Sequence, residues 1–399
     1  MRPMMKRLRR LKDDQRGFSF VFVGLSFMAF MAASTLAIDV GMLMTARSQA
    51  QNSADAGALA GATALVFNDF SDHTAAGPAV VGAINAAQAN AVIGSAPSVV
   101  PADVTFPFNA VTNQSDTVEV RVYRTSARTN PVNTLIGKLF GTSVADVSAM
   151  ARAAAYPANE VSCVLPWTVP DKWIEKQTGP FDPGDSFNQF ETQGNHDNMG
   201  LPLPNPDIYI PPGQPNPTGY DADVDRGTQI VLKPGNQNEV TPSMYNAWDI
   251  NGITGASAYS DNISSCNPGF IKNDQNMPPE TGNMVGPTKQ GTQALIDQDP
   301  TAIWDQSCNK GKGCVKNSAF KVSPRVRAIP LYDPVAYAAD QHSGKSWPQL
   351  KVVNFLGFFI ESVDSNSQVT GRIVPILGKY SAGTPSATGG FARAIMLVK

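Results

Sequence analysis

The sequence predicts an α+β fold with a long N-terminal transmembrane helix, a small α+β module and a loop-rich C-terminal domain that contains an antiparallel sheet. Three observations support this prediction: an apolar run without charge, a segment in which helix and strand patterns alternate, and a proline-rich region followed by strand patterns. The predicted divisions are a basic leader over 1–16, a transmembrane and extended helix over 17–66, a small module over 67–160 and a β-containing domain over 161–399.

The first element is a run of 21 residues without a charged side chain, over 18–38. A helix of that length measures about 31 Å, which matches the hydrocarbon core of a bilayer. A cleaved secretory signal is the competing interpretation, but its apolar region is only about 7–15 residues long. The residues predicted to anchor the chain are Phe18, Val21, Phe22, Leu25, Phe27, Phe30, Leu36 and Ile38.

The charge distribution predicts the orientation of this helix. Residues 1–16 carry seven Lys/Arg and two Asp, a net charge of +5, whereas the remaining chain carries 24 Lys/Arg and 31 Asp/Glu, a net charge of −7. Because basic flanks stay in the cytoplasm, we expect a single-pass protein with a cytoplasmic N-terminus and an exported body. An acidic body without clustered Lys/Arg argues against a nucleic-acid partner.

The helix is predicted to continue beyond the membrane, because no proline interrupts 40–65 and small residues dominate its second half. Small residues recur at four-residue spacing in an inner stripe and an outer stripe. The inner stripe includes Ala33, Ala37 and Gly41, and the outer stripe includes Gly57 and Gly61. Such stripes allow a second helix to approach closely. The outer stripe either docks a partner helix or packs on this protein's own sheet.

The small module is predicted to contain a helix, a strand, a short helix and a strand in succession. An Ala-rich segment predicts the helix over 80–92, and strict alternation predicts a strand over 117–123. Proline in a first turn and a glycine past the end predict a short helix over 131–139. A second strand is expected over 144–154.

The C-terminal domain begins with a region that is rich in proline but also in aromatic residues. Residues 161–290 hold 17 of the 31 prolines, yet their tryptophans and tyrosines favour ordered loops over a disordered linker. A strand is predicted over 229–233, and a short helix over 289–298 with Thr288 as its N-cap. Because Gly291 disfavours a helix, a start after Thr292 is the alternative. The last strands are predicted over 326–332, 351–362, 369–377 and 392–398, and we expect them to form an antiparallel sheet.

The four cysteines are Cys163, Cys266, Cys308 and Cys314, all far downstream of the apolar run. None forms a CxxC pair and only three histidines occur, which argues against a structural zinc site. An even number of cysteines in an exported region predicts disulfides. Of the three possible pairings we favour Cys308–Cys314 together with Cys163–Cys266. Four reduced, buried thiols are the alternative.

The N-terminal residues resemble a known family. A basic leader, Arg16-Gly17, the apolar run, AIDVG at 37–41, RSQAQ at 47–51 and ADAGALAGA at 54–62 occur in the order typical of TadG-like proteins. These proteins belong to the tight-adherence (Flp) pilus assembly systems of bacteria. The resemblance covers about residues 12–65. It implies a bacterial inner membrane with a periplasmic body, and other pilus-assembly or envelope proteins as partners.

Two further motifs, the type IV prepilin processing site and the von Willebrand A metal site, are incomplete here. Gly17-Phe18 resembles a prepilin processing site, but the fifth residue of the cut chain, usually Glu, is Phe22. This favours an uncleaved anchor and argues against polymerisation into a pilus shaft. Many TadG-like proteins also resemble von Willebrand A domains, whose metal site needs Asp-x-Ser-x-Ser. The segment from Asp146 to Met150 lacks the second serine, so that metal site is not expected.

Two other groups of polar residues are candidate sites. Asp221, Asp223 and Asp225 alternate along the chain, a spacing that can wrap a calcium ion. The glycine and glutamate positions of an EF-hand loop hold other residues, so a solvated acidic loop is favoured over a metal site. His196 and His342 lie near carboxylates, but no GxSxG elbow or metal-ligand helix accompanies them. No cofactor is indicated.

These observations favour a non-enzymatic structural or assembly component of a Tad (Flp) pilus, acting in cell adhesion, or of a related envelope apparatus. An envelope-anchored hydrolase is one alternative, with an active site assembled from distant residues. A deep polar pocket around a histidine would support it. An envelope-anchored binding module is the other alternative, which an exposed aromatic cleft would support.

Overall fold

The computed structural model describes residues 16–108, 115–190, 203–222, 224–235, 239–250, 252, 254–280, 284–342, 350–381 and 390–398. Its α-helices are α1 Arg16–Phe67, α2 Pro78–Ala89, α3 Ala256–Ser264, α4 Val285–Asp297 and α5 Pro334–His342. Its strands are β1 Val104–Thr105, β2 Thr117–Arg124, β3 Val132–Asn133, β4 Val144–Ala145, β5 Val147–Pro157, β6 Glu160–Val161, β7 Trp167–Pro170, β8 Gln229–Pro234, β9 Met244–Ala247, β10 Ile271–Lys272, β11 Asn276–Met277, β12 Ile303–Asp305, β13 Cys314–Lys316, β14 Val326–Tyr332, β15 Leu350–Val363, β16 Val369–Val374, β17 Ile376–Leu377 and β18 Ala392–Val398. The predicted α+β class is confirmed.

The long helix α1 is continuous over 52 residues, about 78 Å at 1.5 Å per residue. Its first half is exposed, whereas its second half buries an alanine at every fourth position. These alanines are Ala46, Ala50, Ala54, Ala58 and Ala62, each 1% exposed or less. The spacing places them on one helix face, which packs with α2 and the five-stranded sheet in one core. The helix therefore joins an exposed apolar segment to the body.

The five-stranded sheet that packs on α1 has the order β1-β2-β5-β18-β17. Alternate valines of β2, namely Val118, Val120 and Val122, are fully buried and join the α1 core. The predicted strand over 392–398 exists as β18, but it pairs antiparallel with β5 of this sheet. Its other neighbour is the short strand β17, which pairs with it in parallel, so β18 is not in the same sheet as β14, β15 and β16. Ile395 of β18 packs against the α1 core, which accounts for its position.

The other C-terminal strands form a closed barrel of six strands in the order β14-β7-β9-β8-β16-β15, with β15 returning to β14. Four of the six pairings are antiparallel, and β7–β14 and β8–β9 are parallel. Trp167, Leu356 and Phe358 are fully or nearly fully buried in the core cluster that these strands share. A Cβ on Gly371 would lie 2.4 Å from the Phe358 ring, so that position accepts only glycine.

Two predicted elements differ from the structure. Residues 131–139 do not form a helix; Val132–Asn133 pairs as β3 with β4, and a 3-10 turn spans Gly137–Phe140. The reason is that backbone N–H groups of this segment bond to a side chain of α1, described below. The helix predicted over 289–298 begins earlier, at Val285. Thr288 is not its cap, because it is buried and its hydroxyl accepts a hydrogen bond from Tyr245 at 3.0 Å.

Candidate functional site

The candidate membrane anchor is the first half of α1. Its predicted anchor residues are Phe18, Val21, Phe22, Leu25, Phe27, Phe30, Leu36 and Ile38, all between 52% and 74% exposed. The helix is long and apolar enough to cross a membrane. Burying so much contiguous apolar surface is strongly favourable, so an exposed band of this kind indicates a bilayer or another partner.

The small-residue stripes lie in two different environments. Ala33, Ala37 and Gly41 of the inner stripe are exposed, and no atom lies within 4 Å of a Cβ built on Gly41. Gly57 and Gly61 of the outer stripe are buried inside the body. A Cβ on Gly57 would lie 3.0 Å from the carbonyl oxygen of Ala83 in α2, and a Cβ on Gly61 would lie 2.8 Å from Val118 Cγ1. The outer stripe thus contacts this chain's own helix and sheet, whereas the inner stripe is open to a partner.

A buried carboxylate marks the point where the apolar run ends. Asp39 is 6% exposed, and its carboxylate accepts backbone hydrogen bonds from three successive residues. Leu135 donates at 2.9 Å, Ile136 at 3.1 Å and Gly137 at 2.6 Å. Three N–H donors satisfy the carboxylate where it is removed from water. Asp39 therefore fixes the loop between β3 and β4 against the helix.

The C-terminal end of α1 is held by residues from the barrel side of the molecule. The Arg226 guanidinium donates to the carbonyl oxygens of Phe67 and Asn68, and also to that of Gly313. The Asn309 amide donates to Phe67 at 3.4 Å. The last carbonyls of a helix lack intrahelical partners and carry partial negative charge, so a guanidinium at this end is favourable.

A disulfide-closed loop adds two ion pairs at the same end of α1. Cys308 and Cys314 are bonded, with their Cα atoms 5.8 Å apart. Within the loop, Lys310 Nζ lies 2.8 Å from an Asp72 carboxylate oxygen and Lys312 Nζ lies 3.2 Å from one of Asp69. The hydrogen bond from Lys310 lowers the pKa of Asp72 to about 2. We call Arg226, Asn309, Lys310 and Lys312 the helix-end clamp.

The favoured cysteine pairing is confirmed by the structure. Cys163 and Cys266 form the second pair, with their Cα atoms 4.4 Å apart. The two cysteines are 103 residues apart in the sequence, and their bond joins the loop between β6 and β7 to the loop after α3. A cross-link over so long a loop restricts the unfolded chain strongly.

The acidic loop forms an ion pair with a lysine of the same chain. The Asp225 carboxylate lies 2.5 Å from Lys172 Nζ and accepts the backbone N–H of Asp221 at 2.8 Å. Asp223 lies outside the described residues, as does His196. Among the described residues no group of three or more His, Cys, Asp or Glu side chains could hold a metal ion.

One buried carboxyl has a strongly shifted pKa. Asp171 is fully buried, and burial raises its pKa to about 6. The shift occurs although its carboxylate accepts hydrogen bonds from the backbone N–H groups of Lys172 and Tyr220 and from the Tyr209 hydroxyl. These hydrogen bonds join three segments of the chain, around residues 172, 209 and 220.

An open cleft of about 580 Å³ lies between the C-terminal end of α1, the β12–β13 ribbon and the start of β14. Three of its lining residues are aromatic: Phe67, Trp304 and Phe320, of which Phe320 is 51% exposed. Arg226 and Lys321 give the lining a positive charge. The lining of the cleft is therefore mainly apolar, with two basic side chains, of which Arg226 donates to backbone carbonyls.

The geometry defines a class of protein built on one long helix, whose exposed apolar half can cross a membrane and whose second half is the core of an α+β body. Residues 17–64 match the family described as putative Flp pilus-assembly TadE/G-like. The suspected resemblance is thereby confirmed, and this segment of α1 is a TadE/G-like module. No curated protein and no solved structure matches the chain.

The contacts of Asp39 and Arg226 were not anticipated from the sequence. Asp39 lies in the AIDVG segment as the first charge after the apolar run, which was the available signal. Arg226 follows the acidic loop and resembles any surface arginine. Gly137 lies 98 residues from Asp39 in the chain, and Phe67 lies 159 residues from Arg226. No local sequence pattern indicates contacts over such separations.

Proposed function

We propose that this chain is a membrane-anchored structural or assembly component of a Tad (Flp) pilus or a related envelope apparatus. The observation that carries the proposal is the position of the family match. It falls on the helix whose first half is exposed and apolar and whose second half is the core of the body. On this proposal the chain works by holding and positioning partners rather than by catalysis.

The proposed location is the bacterial inner membrane, with the N-terminus in the cytoplasm and the body in the periplasm. The +5 leader supports this orientation, and the two disulfides support an oxidising compartment. The proposed divisions are the leader over 1–16, the helix over 17–66, the module over 67–160 and the barrel-containing domain over 161–399. In this arrangement β18 links the last domain to the module.

The inner stripe is the proposed docking surface for partner helices, within the membrane at Ala33 and Ala37 and at the membrane surface at Gly41. Ala33, Ala37 and Gly41 are exposed and small, so a second helix can approach the backbone closely. Other pilus-assembly or envelope proteins are the proposed partners.

The test is complementation of a deletion strain with wild type, Gly41→Leu and Gly24→Leu, scored by piliation and surface adherence. Both glycines are exposed with nothing within 4 Å of a built Cβ. Around the helix, Gly24 lies about 100° from Gly41 and about 180° from Ala33, so it is off the inner stripe. We expect Gly41→Leu to lose piliation and Gly24→Leu to restore it. A deletion strain with normal pili and adherence contradicts the proposal.

A second candidate is a membrane-tethered binding module, which the aromatic cleft between α1 and β14 favours. If the cleft binds a target, Trp304→Ala will assemble normal pili but lose adherence. If the protein acts only in assembly, piliation and adherence will change together.

A further inference from the structure

The loop between β3 and β4, residues 134–143, is a rigid structure rather than a loose connection. Its ends are joined by a hydrogen bond from Thr134 N–H to Ser143 at 3.0 Å. Thr142 N–H donates to the carbonyl of Gly137 at 2.9 Å, and the Thr134 hydroxyl donates to the carbonyl of Thr142 at 2.6 Å. We call it the Asp39-bound loop.

Asp39 fixes the position of this loop along the axis of α1. The carboxylate binds three successive N–H groups of the loop within 3.1 Å, and Asp39 directly follows the apolar run over 18–38. That run matches the thickness of a hydrocarbon core. If α1 spans the membrane, as the proposed function requires, the loop lies at the membrane surface on the side of the body.

The loop presents the chemistry that suits a lipid interface. Leu135 is 56% exposed, Lys138 is exposed, and Ile136 is partly exposed. The sequence of the loop, TLIGKLFGTS, contains four large apolar residues and one lysine, and it contains no acidic residue. On the adjacent face of α1, Val40 and Met44 are 43% and 67% exposed. Apolar side chains beside a lysine are typical of segments that enter the headgroup region of anionic bilayers.

We propose that the Asp39-bound loop is a second membrane contact, which inserts Leu135 into the headgroup region of the leaflet nearest the body. This inference rests on the proposed function, because it requires α1 to cross the bilayer. A single helix leaves the body free to tilt and rotate, whereas a second contact fixes which side of the body faces away from the membrane. Asp39 is then a positioning residue that couples the helix to the loop.

The test uses full-length protein in phosphatidylethanolamine–phosphatidylglycerol vesicles with an environment-sensitive fluorophore on single introduced cysteines. The positions are Leu135→Cys in the loop, Phe27→Cys within the apolar run and Val322→Cys as the distant control. Val322 is 61% exposed and lines the cleft together with Phe67. Phe67 lies about 42 Å from Asp39 along the helix. Quenching is measured with lipids that carry a nitroxide near the headgroup.

We expect blue-shifted emission and at least twofold stronger quenching at Leu135→Cys than at Val322→Cys, with deep burial at Phe27→Cys. Asp39→Ala should reduce quenching at 135 towards the control and leave Phe27→Cys unchanged. Should that variant fail to fold, the comparison of the three labels in the unaltered background decides the question alone.

Three results overturn the proposal. If Phe27→Cys is buried in lipid but Leu135→Cys behaves like Val322→Cys, the loop stays in water and the membrane span stands. If Leu135→Cys is shielded from water but not quenched by the labelled lipids, a protein surface covers it instead. If Phe27→Cys is itself exposed to water, the span fails and the loop contact fails with it.

Discussion

The carboxylate of Asp39 accepts a hydrogen bond from the backbone N–H of Gly137, 98 residues later in the chain, at 2.6 Å. At the other end of the same helix, Arg226 donates to the carbonyl of Phe67. The buried half of α1 is therefore held at both ends, by the loop between β3 and β4 near the apolar run and by Arg226 at its C-terminal end.

Removing the Asp39 carboxylate should free the Asp39-bound loop. Asp39→Ala leaves three N–H groups without their acceptor, which typically costs about 1–3 kcal/mol for a buried group. Hydrogen exchange should accelerate at Leu135, Ile136 and Gly137 before the rest of the body. Asp55→Ala on the same helix is the control, because among the residues that the structure describes its carboxylate accepts a side-chain hydrogen bond only from exposed Gln51. Equal exchange in both variants would refute the assigned role.

Adding a side chain at Gly61 should destabilise the body. A Cβ there lies 2.8 Å from Val118 Cγ1 and 3.1 Å from Ala83 Cβ, so Gly61→Val overfills the packing between α1, α2 and β2. Overpacking of this kind costs about 1–3 kcal/mol. Thermal unfolding in detergent should show a lower midpoint for Gly61→Val, while Gly41→Val unfolds like wild type. A fall of the same size at position 41 would contradict the packing described here.

The lysines of the helix-end clamp should stabilise the C-terminal end of α1 locally, with only a small effect on the free energy of unfolding of the whole protein. Exposed ion pairs contribute only about 0.2–1 kcal/mol each, and Lys310 is 61% exposed. The double variant Lys310→Gln/Lys312→Gln should therefore lose about 1 kcal/mol and exchange amides of 67–72 faster. The control is Lys321→Gln, an exposed lysine of the neighbouring cleft. Unchanged exchange at 67–72 in the double variant would show that the two lysines do not stabilise this end of α1.

Asp171 should make stability fall as pH rises through the weakly acidic range. Its pKa is raised by burial from 3.8 to about 6, so the folded state holds its proton more tightly than the unfolded state. This contribution is fully present below about pH 4 and lost as pH rises through about 6, at most about 3 kcal/mol.

The measurement is the urea midpoint of unfolding between pH 4.5 and 7. Asp171→Asn should flatten the profile relative to wild type, because it cannot ionise. Asp297→Asn, an exposed carboxylate of α4 that bonds to Gln293, should leave the profile unchanged. If Asp171→Asn retains the full decline, another group is responsible.

Much of the fold follows from local pattern. Alternation over 117–123 predicted β2 within one residue, and the apolar run predicted the exposed half of α1. The loop around Gly137 was predicted as a helix because proline and glycine suit a helix there, and the competing bonds come from distant Asp39. The barrel closure and the transfer of β18 to the first sheet depend on long-range pairing, which single-strand patterns do not encode.

On the proposed function, α1 crosses the membrane and places the body outside the cytoplasm. The most direct measurement is labelling of Val322→Cys and of a leader cysteine, Met5→Cys, in intact spheroplasts with a membrane-impermeant maleimide. We predict that Val322→Cys reacts before lysis, that Met5→Cys reacts only after lysis, and that the wild type stays unlabelled because its cysteines are paired. Reaction of Val322→Cys only after lysis would contradict the account.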